Sequence, residues 1–177
     1  MSIKQITKVL AGILIATSVT VHAQTAMKNY KAGHVFDISL PDYMVKTTGL
    51  NSAATIQFKN TVKDIAGFVI EDSKEDLQVA QITYSSATEF YEDFIKDFLV
   101  EEEKRTISKP ESRTQGDVKY VECDASYYDK DVKATIYYFI GIVETKTTYY
   151  KVLCYGGEDS KEKYKKDFES IMLSIKD

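Results

Sequence analysis

From residue 118 to residue 155 the apolar side chains recur at every second position through three consecutive segments, 118–128, 132–143 and 147–155. Only the short polar stretches Asp129-Lys130-Asp131 and Glu144-Thr145-Lys146 separate them, so the segments pair as antiparallel neighbours in a meander. The middle segment is apolar in both registers. Val132, Ala134, Ile136, Tyr138, Ile140 and Ile142 fall on one side, and Tyr137, Phe139 and Val143 on the other. A strand of that kind must be covered on both faces.

Two segments have the period needed to cover it. Ser86 and Glu89 form an S-x-x-E capping box, and Phe90, Phe94 and Phe98 follow at i, i+4 and i+8, with Tyr91, Ile95 and Leu99 one step round. A helix is predicted over 86–100, with its aromatic stripe packed as core. It ends at Glu101-Glu102-Glu103, whose charges oppose the helix dipole at a C-terminus. After Gly156-Gly157, Asp159 and Glu162 repeat the capping logic, and Tyr164, Phe168, Ile171, Met172 and Ile175 make the stripe of a C-terminal helix.

Shorter strands precede these elements. Phe36, Ile38 and Leu40 alternate up to Pro41; Ala54, Ile56 and Phe58 alternate in a second strand; 66–70 is a third, and 106–109 a fourth. Residues 73–84 fit either a strand or a helix, with one helical turn over 74–79 favoured. The sum is an α/β (α+β) chain folded as a three-layer α/β/α sandwich, a largely antiparallel sheet with helices on both faces.

At the N-terminus Lys4 and Lys8 precede the apolar run from Val9 to Ala16, and Val21-His22-Ala23 follows. That order predicts a signal peptide over 1–23, too short and wrongly flanked for a membrane span. No Cys stands at the cut, so a lipid anchor of the bacterial lipoprotein type is not expected. Residues 24–33 read as a short polar lead, and 34–177 as a single domain. Removing Lys4 and Lys8 leaves 21 of the 23 basic residues against all 27 acidic ones, which moves the formal charge from −4 to −6. With lysines alternating with acids, as in Lys161-Glu162-Lys163, the surface argues against nucleic acid as a partner.

Candidate chemistry is sparse. His34 is the one histidine beyond the leader, and no serine stands in a G-x-S-x-G turn, which argues against a hydrolase. Neither a cofactor nor a metal is expected, since Cys123 and Cys154 lack C-x-x-C spacing. The meander places these two cysteines on strands separated by the middle one, about 10 Å apart, so two buried thiols are favoured over a disulfide.

Glu122 and Asp124 share a strand face with Tyr120, and turns centred near Lys130 and Thr145 set them beside Tyr138 and Ile136. Carboxylates under a helix need partners, which makes Glu122, Asp124 and Tyr138 the candidate binding residues. The doublets Tyr127-Tyr128, Tyr137-Tyr138 and Tyr149-Tyr150 put a ring on each face of three successive strands, as core edges or as a recognition surface.

Residues 36–41 (Phe-Asp-Ile-Ser-Leu-Pro), the helix around 89–99, and the closing strand 149–155 with Gly156-Gly157 and a helix over 164–175 that carries Ser174 near its end resemble the PsbP-like superfamily. The chain departs from that pattern after the opening Pro, where Tyr43 stands in place of the usual Trp. The resemblance implies a non-enzymatic accessory role, as in the extrinsic subunit of photosystem II and relatives that bind the GTPase Ran, and transfers no functional residue. The chain is thus expected to be an exported binding or accessory module, periplasmic or extracellular, with a protein partner in the cell envelope. The alternative is a carrier for a small apolar ligand held between the sheet and the helix bearing Phe90, Phe94 and Phe98.

Overall fold

The computed structural model describes residues 25–177; the signal-peptide reading over 1–23 lies outside them. The architecture is α+β, with ten strands and three helices among the described residues. Strands β1 (Met27–Ala32) and β2 (Phe36–Pro41) form a separate antiparallel hairpin. Residues 24–33, expected as a lead outside the domain, therefore contain a strand. Its sequence carries no alternation, because Met27–Ala32 has only Ala32 buried. Gly33 and His34 turn the hairpin with φ of 54° and 63°, the left-handed pair that a tight reversal demands. His34, the only histidine candidate, is thus a turn residue. Phe36, Ile38 and Leu40 are buried, as their alternation predicts.

The remaining strands form an eight-stranded sheet. Its order is β3 (Val45–Thr47), β4 (Ile56–Asn60), β5 (Ile65–Ser73), β10 (Thr148–Gly157), β9 (Ala134–Glu144), β8 (Val118–Asp129) and β6 (Glu103–Ile107), with β7 (Glu111–Gln115) also on β8. All pairs are antiparallel. The meander β8-β9-β10 is as expected, but β7 is not foreseeable from periodicity because all five of its residues are exposed.

Helices α1 (Lys74–Val79), α2 (Ala87–Asp97) and α3 (Ser160–Leu173) complete the chain. Alternate residues of β9 divide between two buried clusters. Tyr137, Phe139 and Val143 join Phe168, Ile171 and Met172 of α3 together with Phe36, Ile38 and Leu40 of β2. Ile140 and Ile142 join Phe90 and Tyr91 of α2. The period-two pattern thus segregates the side chains of the middle strand as expected.

Helix α2 starts on Ser86, whose hydroxyl accepts from the backbone N–H of Glu89 at 3.2 Å. The return bond goes one residue earlier than a capping box requires, since Glu89 accepts from the N–H and hydroxyl of Ser85. The helix stops at Asp97, short of the predicted 100. Phe98 is extended and Leu99 has a φ of 56°, yet the Phe98 ring stays against Phe94 at 5.1 Å and also lies edge-on to Tyr138, at 5.4 Å between centroids. At α3, Asp159 occupies the N-cap position but makes no side-chain capping bond; it pairs with Lys163.

One error in register has consequences for the site. Cys123 pairs with Ile140, not Tyr137, and Cys154 with Phe139, not Ile136. Each turn falls later in the chain than expected: Lys130 to Lys133 lie outside the strands, with Lys133 at a φ of 54°, and Thr145 to Thr147 make the second reversal. Both slips are three residues, and an odd slip moves a side chain to the opposite face.

Candidate functional site

The slip separates the three predicted binding residues. Glu122 pairs with Gly141 and Asp124 with Phe139, so both acids lie on the α3 face, whereas Tyr138 pairs with Ala125 on the α2 face. Tyr138 is therefore corrected to Tyr137 as the phenol beside the acids. The Tyr137 hydroxyl donates to Oδ1 of Asp124 at 2.7 Å. Oδ2 of Asp124 receives Nζ of Lys165 at 2.9 Å and Nζ of Lys161 at 3.0 Å.

The Asp124 side chain is only 14% exposed. Burial opposes its charge, yet hydrogen bonds from Lys165, Tyr137 and Lys161 outweigh burial and hold its pKa below the ordinary carboxylate value. Glu122 has weaker support. Arg113, reaching from the exposed strand β7, donates to its Oε2 at 2.5 Å. Burial dominates there, only partly offset by Arg113 and reinforced by Glu169, and the Glu122 pKa is raised.

The alternation Lys161-Glu162-Lys163 points to solvated surface, but a second signal covers Lys161 and Lys165. With Phe168 and Met172 they stand at i, i+4, i+7 and i+11, so they extend the buried stripe of α3 toward the sheet. Arg113 had no such signal, because β7 lacks one. A cavity of about 310 Å³ opens beside Asp124 and is lined in part by Thr106, Ser108 and Ser126.

A third acid, in the segment expected as a polar turn, is buried as well. Glu144 accepts from Lys74 Nζ at 2.9 Å, from Lys119 Nζ at 3.3 Å and from the backbone N–H of Ala87 at 2.8 Å. Burial works against its charge, but Lys74 first, then Lys119 and the Ala87 amide, bring its pKa down. It joins α1, β8 and the first turn of α2, where a carboxylate is favoured by the helix dipole.

The α2 face holds a larger opening. Because α2 ends at Asp97, the far end of this face is left to Tyr127, Tyr138 and Tyr155, which line a groove of about 500 Å³. Tyr138 and Tyr155 are directly opposed on β9 and β10, and their rings stack at 5.0 Å and 25°. Burial raises the pKa of each, so both hydroxyls stay protonated, and neither has a hydrogen-bond partner among the described residues. Tyr138 thus belongs to this groove and not to the acid cluster.

Among the described residues no group of three His, Cys, Asp or Glu side chains is placed to hold a metal ion, and no helix is long and apolar enough to cross a membrane.

No protein-family model matches the chain, and no curated protein matches it. Solved structures do. The solution structure of cyanobacterial PsbP from Synechocystis sp. PCC 6803 superposes with a TM-score of 0.59 at 12% identity, covering 91% of this chain and 98% of that one. LpqN, involved in cell envelope biogenesis of Mycobacterium tuberculosis, gives 0.52 at 11% identity, covering 87% and 86%. PA94, a protein of unknown function from Pseudomonas aeruginosa, gives 0.51 at 8% identity, covering 85% and 96%. Identities of this size carry the fold alone, and the fold of this chain is PsbP-like, as the resemblance in its sequence implied.

Proposed function

We propose that the chain is an exported, non-enzymatic binding or accessory module of the cell envelope. The observation that carries this reading is the state of two of its acids, Asp124 and Glu144. Asp124 is held charged by two lysines and a tyrosine, and Glu144 by two lysines and a backbone amide. General acid–base catalysis favours a group poised near the working pH and in reach of substrate. Carboxylates with lowered pKa values and fully occupied oxygens suit a structural role instead.

Export is supported by the leader-like residue order over 1–23, and an envelope setting agrees with the involvement of LpqN in envelope biogenesis. We read the arrangement as the three-layer sandwich, with α2 and α3 on opposite faces of the sheet, which leaves the sheet's open end as the binding surface. The carrier alternative has its own support in the 500 Å³ groove next to Phe98 and Tyr138.

The test is to purify the exported chain, assay it against ester, phosphate and glycoside substrates, and weigh the gently purified protein by native mass spectrometry. No turnover and no retained mass is the expected result. Turnover abolished by Asp124→Asn would overturn the non-enzymatic reading, and a retained lipid-sized mass would replace it with the carrier.

A further inference from the structure

We propose that the tyrosine groove at the open end of the sheet binds a neutral saccharide of two or three sugar rings, through the hydroxyls of Tyr138 and Tyr155 and the carboxylates of Asp64 and Asp129. The proposal rests on the binding-module reading and names the ligand class.

Size is the first constraint. A groove of about 500 Å³ is in the range of a small-ligand site and has room for more than one sugar ring. Its chemistry then discriminates between ligand classes. Two phenol hydroxyls lack any partner among the described residues, and partly buried polar groups of that kind are matched by a ligand that can both donate and accept. The rim adds acceptors in Asp64 and Asp129, and Lys59 adds a donor. Asp129 already accepts through Oδ1 from the N–H groups of Asp131 and Val132, so its Oδ2, contacted only by the Tyr127 hydroxyl at 3.4 Å, is the free one. Ile65, Ile136 and Val132 supply apolar wall for the C–H faces of a sugar, and Val132 is 63% exposed at the lip.

Other occupants fit less well. An anion meets two carboxylates against one lysine. An organic cation would use a ring face, and the mutual stack of Tyr138 and Tyr155 covers one face of each ring. A purely apolar chain would leave the two hydroxyls unmatched.

The experiment is an NMR titration of the isotope-labelled exported chain with maltotriose, cellotriose, chitotriose and mannotriose, alongside tetramethylammonium and octanoate. The expected result is that at least one trisaccharide shifts the resonances of Tyr138, Tyr155 and Gly156, and that Tyr138→Phe with Tyr155→Phe weakens binding about tenfold or more. Asp64→Asn provides a second variant that keeps the fold, since Asp64 has a φ of 51°, a conformation Asn tolerates. It is expected to weaken the same titration at an unchanged melting temperature. Shifts at these tyrosines with none of the trisaccharides, or only with tetramethylammonium or octanoate, would overturn the proposal. If a protein partner still binds the Tyr138→Phe/Tyr155→Phe chain in that case, the module reading survives and the saccharide assignment alone falls.

Discussion

Tyr137 and Asp124, on adjacent strands of the sheet, meet through a 2.7 Å hydrogen bond that points the carboxylate at Lys161 and Lys165 of α3. Helix α3 is thereby held to the sheet at its first two turns by charge, and farther along by Phe168, Ile171 and Met172.

Asp124→Asn removes the charge from this clamp and leaves two lysines facing it. The expected loss is about 1–3 kcal/mol at neutral pH, the cost of a partly buried charged hydrogen bond. For a chain of this size each kcal/mol lowers the melting midpoint by about 2–4 °C. Calorimetry at pH 7 checks this, and a variant melting at the parent's midpoint would show that the clamp carries no stability.

The two neighbouring acids should respond oppositely to pH. The Asp124 pKa is lowered, so the unfolded chain takes up its proton first as pH falls. Its contribution is complete above the unfolded carboxylate range, at about pH 4, and is lost as pH drops through the lower folded value. The Glu122 pKa is raised, so it favours folding below its unfolded value and ceases to do so as pH rises through the folded one. Glu122→Gln is therefore expected to match or exceed the parent's stability at pH 7, by at most about 1 kcal/mol given the exposed Arg113 partner. Urea melts of both variants from pH 3 to pH 8 separate the two slopes; a Glu122→Gln chain clearly weaker than the parent at pH 7 contradicts the sign.

Cys123 and Cys154 should both be free thiols. Cys123 is buried with α2 and Cys154 with α3, so the sheet lies between them as well as a strand. Burial also raises both thiol pKa values, which slows labelling of the folded protein. Unreduced protein in denaturant should take up two equivalents of a thiol reagent, and a Cys123–Cys154 cross-linked peptide in a digest would refute the strand order.

On α2 the anchor is Phe90, which is 4% exposed and stacks on Tyr149 at 4.5 Å and 8°. Phe90→Ala is expected to cost about 3–5 kcal/mol. Phe94, central in the sequence pattern, is only half-buried, so Phe94→Ala should cost clearly less. Thermal melts rank the two; the reverse order would mean that α2 sits rotated on the sheet.

Much of the architecture was legible because it depends on local chemistry. The two-sided apolarity of 134–143, the stripe Phe168-Ile171-Met172, Ser86 before α2 and the helical turn over 74–79 each report a period or a cap that neighbouring residues set among themselves. Strands β1 and β7 were not legible, since a strand with few buried side chains leaves no alternation to read. The candidate site was half legible. Glu122 and Asp124 were found as acids on a covered strand, while Tyr137, Arg113 and Lys165 came to them from other elements.

What the sequence by itself determined is the helices, the strands with a covered face and the alternation along them, because those are properties of residues a few positions apart. Only the tertiary structure decided which faces meet. The turns at 130–133 and 145–147 shift the pairing by three residues, an odd number, and so place Tyr137 with Asp124 and Tyr138 with Tyr155. Where a turn falls is set by the backbone's closure between packed strands, and no pattern within a strand records it.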